Sequence, residues 1–190
     1  CYPSESACEE ACVLAPSINI RSSMQGKAPG NWDGPALLTI EETVAPLSGS
    51  SNPYVVFEKP IVLDSNGEAQ VDLSAYLIIN AGHSYNFYLK GYQHLRKKVT
   101  MTYTPGMTVD FGELLTGDVY LPDEQGSQDG EINSVDFSKI VQYLWSTVRD
   151  YYDLDGNGEI NSLDFSLMFP NWFRVDDPYW FRVDDPYQQE

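Results

Sequence analysis

Residues 153 to 164 read Asp-Leu-Asp-Gly-Asn-Gly-Glu-Ile-Asn-Ser-Leu-Asp. No other stretch limits the possible folds as tightly. Asp153, Asp155, Asn157, Asn161 and Asp164 place side-chain oxygens at positions 1, 3, 5, 9 and 12 of a twelve-residue loop. Glu159, at position 7, can add its backbone carbonyl, and Gly158 supplies the sharp turn between them. A hard cation such as Ca²⁺ takes roughly six to eight oxygens at about 2.3–2.6 Å, so this spacing predicts a loop wrapped around one ion. The loop closes on Asp, one methylene shorter than Glu, and so must close more tightly.

A second copy lies upstream. Asp129 to Phe137 aligns without a gap on Asn157 to Phe165, matching Gly130 to Gly158, Ile132 to Ile160, Asn133 to Asn161 and Asp136 to Asp164. Before Asp129 the copy is irregular, because twelve positions back from Asp136 stands Gln125, a poor ligand. Asp118 is the better first ligand, with the intervening segment looping out and Asp123 inside it. The expected ligand set of the first loop is Asp118, Asp123, Asp129, Glu131, Asn133 and Asp136, and the expected load is two calcium ions. Eleven acidic residues between 118 and 164 face only Lys139 and Arg149, so chelation is expected to loosen this region.

After the first loop, Phe137, Ile140, Val141, Leu144 and Trp145 recur at helical spacing. Phe165, Leu167, Met168 and Phe169 follow the second loop, and Pro170 should end that helix early. Two half-EF-hands, each a loop followed by one helix, resemble a dockerin over about residues 116 to 173. The residues carrying the likeness are Gly117-Asp118, Asp129 through Asp136, and Asp153 through Asp164. The resemblance implies calcium binding and a cohesin partner that reads loop positions 10 and 11. Cellulosomal dockerins typically have a polar pair there; this chain has Ser134-Val135 and Ser162-Leu163.

Residues 17 to 115 are patterned differently. Ile18 and Ile20; Leu38 and Ile40; Tyr85, Phe87 and Leu89; and Val99, Met101 and Tyr103 alternate with their neighbours. Tyr54 to Phe57, Ile61 to Leu63, Val71 to Leu73, and Val109 with Phe111 complete about seven short strands. Asp64-Ser65-Asn66-Gly67 reads as a hairpin turn, since Asn-Gly readily adopts positive φ. The fold class expected is therefore mainly β sandwich plus a small α-helical calcium-binding module. The stretch LKGYQHLRKKV and the Gly112-to-Gly117 junction resemble Cna-B-like or carboxypeptidase-regulatory-like sandwiches of bacterial surface proteins. That likeness implies an attachment or structural role.

The domain plan is then a cysteine-containing segment at 1–16, the sandwich at 17–115, the calcium module at 116–173 and a tail at 174–190. The tail region holds a perfect repeat: WFRVDDPY occupies 172–179 and again 180–187. Its aromatic content points to docking on a neighbouring subunit. The basic cluster His94, Arg96, Lys97 and Lys98 is read as solubilising charge on an edge strand, with contact to an acidic module as the alternative. Cys1, Cys8 and Cys12 leave one thiol unpaired if one disulfide forms, and the start at Cys1 points to a processed product.

A net charge of −17 argues against nucleic-acid binding. No run of about 20 apolar residues is present to span a membrane as a helix. Neither His83 nor His94 stands in a zinc-type pattern, and the chain has no nucleophile elbow and no phosphate-cradling loop, so no catalysis is expected. These features lead to an extracellular, calcium-stabilised structural protein, a homo-oligomeric subunit of a surface filament or pilus-like assembly. Two alternatives are a dockerin-type adaptor for a cohesin-like partner and a carbohydrate-binding module with Trp32, Tyr54 and Tyr92 as a stacking platform.

Overall fold

The computed structural model describes residues 16–43, 55–76, 79–119, 128–147 and 151–178. Seven strands come first: β1 (Ser17–Met24), β2 (Gly34–Glu42), β3 (Val55–Leu63), β4 (Glu68–Asp72), β5 (Ser84–Gly91), β6 (Lys97–Thr102) and β7 (Thr108–Leu114). Helices α1 (Ser134–Gln142) and α2 (Ser162–Met168) follow, the second running into a 3₁₀ turn at Phe169–Asn171. The strands form two sheets, ordered β4-β1-β7 and β3-β2-β5-β6. Every pairing is antiparallel except that of β1 with β7.

The alternation seen in sequence maps onto the inner faces of these sheets, because successive strand side chains point to opposite sides. Ile18 and Ile20 of β1, Val109 and Phe111 of β7, Leu38 and Ile40 of β2, and Phe87 and Leu89 of β5 meet in one core. Strand β5 is buried along nearly its whole length, as a strand between two neighbours should be. The described part of the first of these runs, 55–57, and the run at 61–63 prove to be one strand, β3, that passes straight through Pro60. Proline is tolerated because β3 is an edge strand, where a missing N–H breaks no ladder on the outer side.

The turn at Asp64 forms, with Gly67 N–H donating to Asp64 O at 2.8 Å and φ +72° at Gly67. It does not make the expected hairpin. Strands β3 and β4 separate into opposite sheets. Gly67 steers the departure: its carbonyl accepts from Ser22 N–H at 2.9 Å, and a Cβ there would fall 1.8 Å from Ser22 O. Only a glycine lets the chain cross to β1 so closely.

A second core gathers Val119, Ile132, Ile140, Tyr152, Leu154, Ile160 and Met168 of the C-terminal region around Leu95 of the β5–β6 connection. The sandwich thus reaches into the module. Leu95 N–H donates to Leu115 O and Gly117 N–H to Gln93 O, so the β5–β6 connection and the β7 exit hold one another. Asn171 Nδ2 donates to both Gln25 Oε1 and Thr116 O, tying the 3₁₀ turn to the β1–β2 connection. Of the proposed stacking platform, Trp32 packs against the sandwich core and Tyr92 lies 5.2 Å from the Tyr151 ring. Tyr54, the three cysteines and the second copy of the tail repeat lie outside the described residues.

Candidate metal centre and docking face

The second loop is organised around Asp153. Its carboxylate accepts from the amides of Gly156, Asn157 and Gly158 at 2.7–3.1 Å, with positive φ at both glycines. Asp164 reaches back from the first turn of α2, accepting from Leu154 N–H at 2.6 Å and from Asn161 N–H at 2.7 Å. Asp153, Asp155 and Asp164 each bring a ligand oxygen within 4.8 Å of the others. Burial is the largest influence on Asp153 and Asp164 and raises both carboxyls, against the backbone amides that stabilise the anions. Gathered, partly desolvated carboxylates of this kind suit a hard divalent cation.

The other expected ligands of this loop are placed as follows. Asn157 Oδ1 accepts from Glu159 N–H, and Asn157 Nδ2 donates to Asp155 Oδ2. Asn161 Oδ1 accepts from Leu163 N–H and forms a capping box with Asp164. The sequence reading missed that capping role, although the Asn-Ser-x-Asp spacing carries its signal.

The first loop shares this frame. Val119 N–H donates to Asp136 Oδ1 as Leu154 N–H does to Asp164, and Asn133 N–H donates to Asp136 Oδ2 as Asn161 N–H does to Asp164. Asn133 caps α1. Asp129 Oδ1 accepts from Glu131 N–H, and Glu131 forms an isolated antiparallel bridge with Val175. Asp123 lies outside the described residues. Asp118 is fully buried, and its Oδ2 receives the Lys90 ammonium at 2.5 Å. Burial pushes Asp118 up to about 7 despite Lys90, and pushes Asp136 up to about 6 despite its amide donors. Among the described residues Asp118, Asp129 and Asp136 do not converge as the second-loop carboxylates do.

The repeat extends further than the loops. Trp145 and Phe173 both have left-handed backbone, φ 66° and 63°. Trp145 N–H donates to Ile160 O, and Phe173 N–H donates to Ile132 O. Each helix exit therefore pairs with the other half's loop. Helix α1 ends at Gln142, short of the apolar spacing that ran through Trp145, because the chain turns there to reach Ile160. Exposed large apolar side chains recur with the same offset as Asn133 and Asn161: Val135 with Leu163, Val141 with Phe169, and Trp145 with Phe173. Val135 is 53 % exposed and Leu163 54 %.

The basic cluster is not simple solubilising charge. The Arg96 guanidinium lies 3.7 Å from the Asp176 carboxylate and donates from Nε to Asp177 O at 2.9 Å, the backbone amides of Arg96 and Lys98 donate to Asp176 and Asp177, and Lys90 Nζ, outside the cluster, donates to Asp176 at 2.7 Å. Of the four, Arg96 makes a charged contact with an acidic segment of the same chain, and that segment lies in the tail rather than in the calcium loops. The first copy of WFRVDDPY is likewise folded back on its own chain: Trp172 packs on the second core and Arg174 O accepts from Ile132 N–H. Lys90, Asp176 and Asp177 were missed as a set, because no local pattern links residues so distant in sequence.

A duplicated loop–helix unit braced by a β-sandwich defines a tandem half-EF-hand module. Residues 127–169 match the Dockerin type I domain family, so the chain carries a dockerin domain preceded by a sandwich. No curated protein matches the chain. Among solved structures, it is similar to a chain from an N-terminal interface mutant of a type II cohesin–X-dockerin complex of Acetivibrio cellulolyticus. The TM-score is 0.56 at 19 % identity, covering 85 % of this chain and 97 % of that one. A C-terminal interface mutant of the same complex gives 0.54 at 18 % identity, with the same coverage. Such identities establish a shared fold. No described helix is long and apolar enough to cross a membrane.

Proposed function

We propose that this chain is a dockerin-type adaptor that docks on a cohesin-like partner outside the cell, with calcium ordering the second loop. The three paired exposed apolar positions carry the reading. Soluble surfaces seldom repeat large apolar side chains at a fixed offset along two equivalent loop–helix units, and such patches mark interaction sites. Val135 and Leu163 sit in the first turns of α1 and α2, at the loop positions a cohesin reads in dockerins. Similarity to chains of cohesin–X-dockerin complexes supports the same choice.

In this reading Asp153, Asp155, Asn157 and Asp164, with the Glu159 carbonyl, hold the ion. Extracellular calcium is abundant enough to fill sites of modest affinity. The sandwich braces the module and contributes no catalysis. The first tail copy is folded on its own chain and so lends the filament reading no support, while the second copy and the cysteines lie outside the described residues. Calorimetry against a panel of cohesin modules tests the proposal. Binding should require calcium, and Val135→Asp with Leu163→Asp should weaken it by about tenfold or more, about 1.4 kcal/mol, while circular dichroism stays unchanged. Equal affinity for the double variant would remove the docking face from these helices.

A further inference from the structure

The two loops share a frame, yet their opening carboxylates meet different cations. Asp118 and Asp153 occupy matching places, each just before a residue whose N–H donates to the aspartate that closes the loop. Asp153 is wrapped by the amides of its own loop and stands with Asp155 and Asp164 as a three-carboxylate group. Among the described residues Asp118 has no such company. Its Oδ2 is taken by Lys90 Nζ at 2.5 Å, and the same ammonium holds Asp176 Oδ1 at 2.7 Å. Asp118 Oδ1 has no hydrogen-bond partner among the described residues, but no group of three carboxylates gathers around it there as one does around Asp153.

We infer that the first loop is closed by the ammonium of Lys90 rather than by a divalent cation, so that the chain takes one calcium ion, in its second loop. Lys90 lies on β5, so the cation that closes this half of the module is delivered by the sandwich. A Ca²⁺ ligated by Asp118 Oδ1 would stand beside the ammonium already bonded to Oδ2 of the same buried carboxylate, and two cations that close repel each other strongly. Expelling Lys90, whose side chain is only 13 % exposed, would also leave Asp176 without its nearest ammonium. Truncating one partner of a buried ion pair is costly because it strands the other charge. The first loop then works as a metal-independent clamp between sandwich and module, and the second as the calcium-dependent half.

The inference rests on the dockerin reading only for the calcium in loop two, and ion counting is independent of any cohesin. The 190-residue chain, freed of metal on a chelating resin, is titrated with calcium by calorimetry, and bound calcium is counted by elemental analysis after equilibrium dialysis. One ion per chain is expected, and none in a variant carrying Asp153→Asn and Asp155→Asn. Two ions in the wild type, or one persisting in that variant, would overturn the inference. Lys90→Gln supplies a second readout. It should lower the denaturation midpoint measured in excess EGTA, because the clamp acts without metal. A midpoint in EGTA equal to that of the wild type would also overturn the inference.

Discussion

His94 is 2 % exposed, and neither ring nitrogen has a hydrogen-bond partner among the described residues. Its imidazole lies against Gly91, where a Cβ would stand 2.9 Å from Nδ1. Burial, then the positive charges of Lys27 and Lys90, lower its pKa from 6.5 to about 3. In the unfolded chain the ring takes up a proton near pH 6.5, and in the folded chain only near pH 3. Across that window the unfolded state binds more protons, so this contribution to stability is complete above pH 6.5 and is lost as the pH falls towards 3. Each pH unit in the window is worth roughly 1.4 kcal/mol. Between pH 6.5 and 5, the wild type should therefore lose roughly 2 kcal/mol more than His94→Gln in urea unfolding with saturating calcium. A stability difference between the two proteins that does not change with pH would show that the ring is already charged or solvated in the fold.

Helices α1 and α2 span nine and seven residues, too short to persist alone. Their ends are therefore as important as their faces. In each, an Asn caps the first turn and the Asp three residues later returns a bond to the cap's own N–H. Asn161→Ala should cost about 1 kcal/mol through the lost cap, as should Asn133→Ala. Denaturant unfolding at fixed calcium separates the cases. Equal losses at the two sites indicate capping alone, whereas a larger loss at Asn161 that vanishes in EGTA would add a metal-ligand role there. What could be read from sequence at this scale was the repeat itself, since Gly130/Gly158 and Asp136/Asp164 align without gaps. The left-handed turns at Trp145 and Phe173 were hidden. Apolar spacing reports which side chains a helix could bury, and nothing in an aromatic residue announces positive φ.

The whole molecule is held together by contacts that no local pattern foretells. Strand alternation exposed the sandwich because burial on one face leaves a period of two. The alliance of Lys90 with Asp118 and Asp176, and of Gln25 with Asn171, joins residues far apart in sequence and leaves no periodic trace. Gly26, in the β1–β2 connection, shows how directly the sandwich touches the calcium loop. A Cβ there would fall 2.9 Å from Leu154 O, a backbone atom at the second position of that loop, and 2.6 Å from Leu167 Cδ1 on α2. The leucine side chain can give way, but the carbonyl can move only with the loop. Gly26→Ala should therefore lower calcium affinity by about tenfold, about 1.4 kcal/mol, although Gly26 is no ligand. The substitution also carries a backbone cost of roughly 1–2 kcal/mol from φ +89°. Gly30→Ala isolates that second effect, because Gly30 has φ +92° and nothing within 4 Å of its would-be Cβ. It should lose comparable stability and keep wild-type calcium affinity. Calorimetric titration of both variants decides the matter: equal calcium affinities would mean that the sandwich merely adjoins the loop, and a weakened Gly26→Ala alone would mean that it shapes the loop.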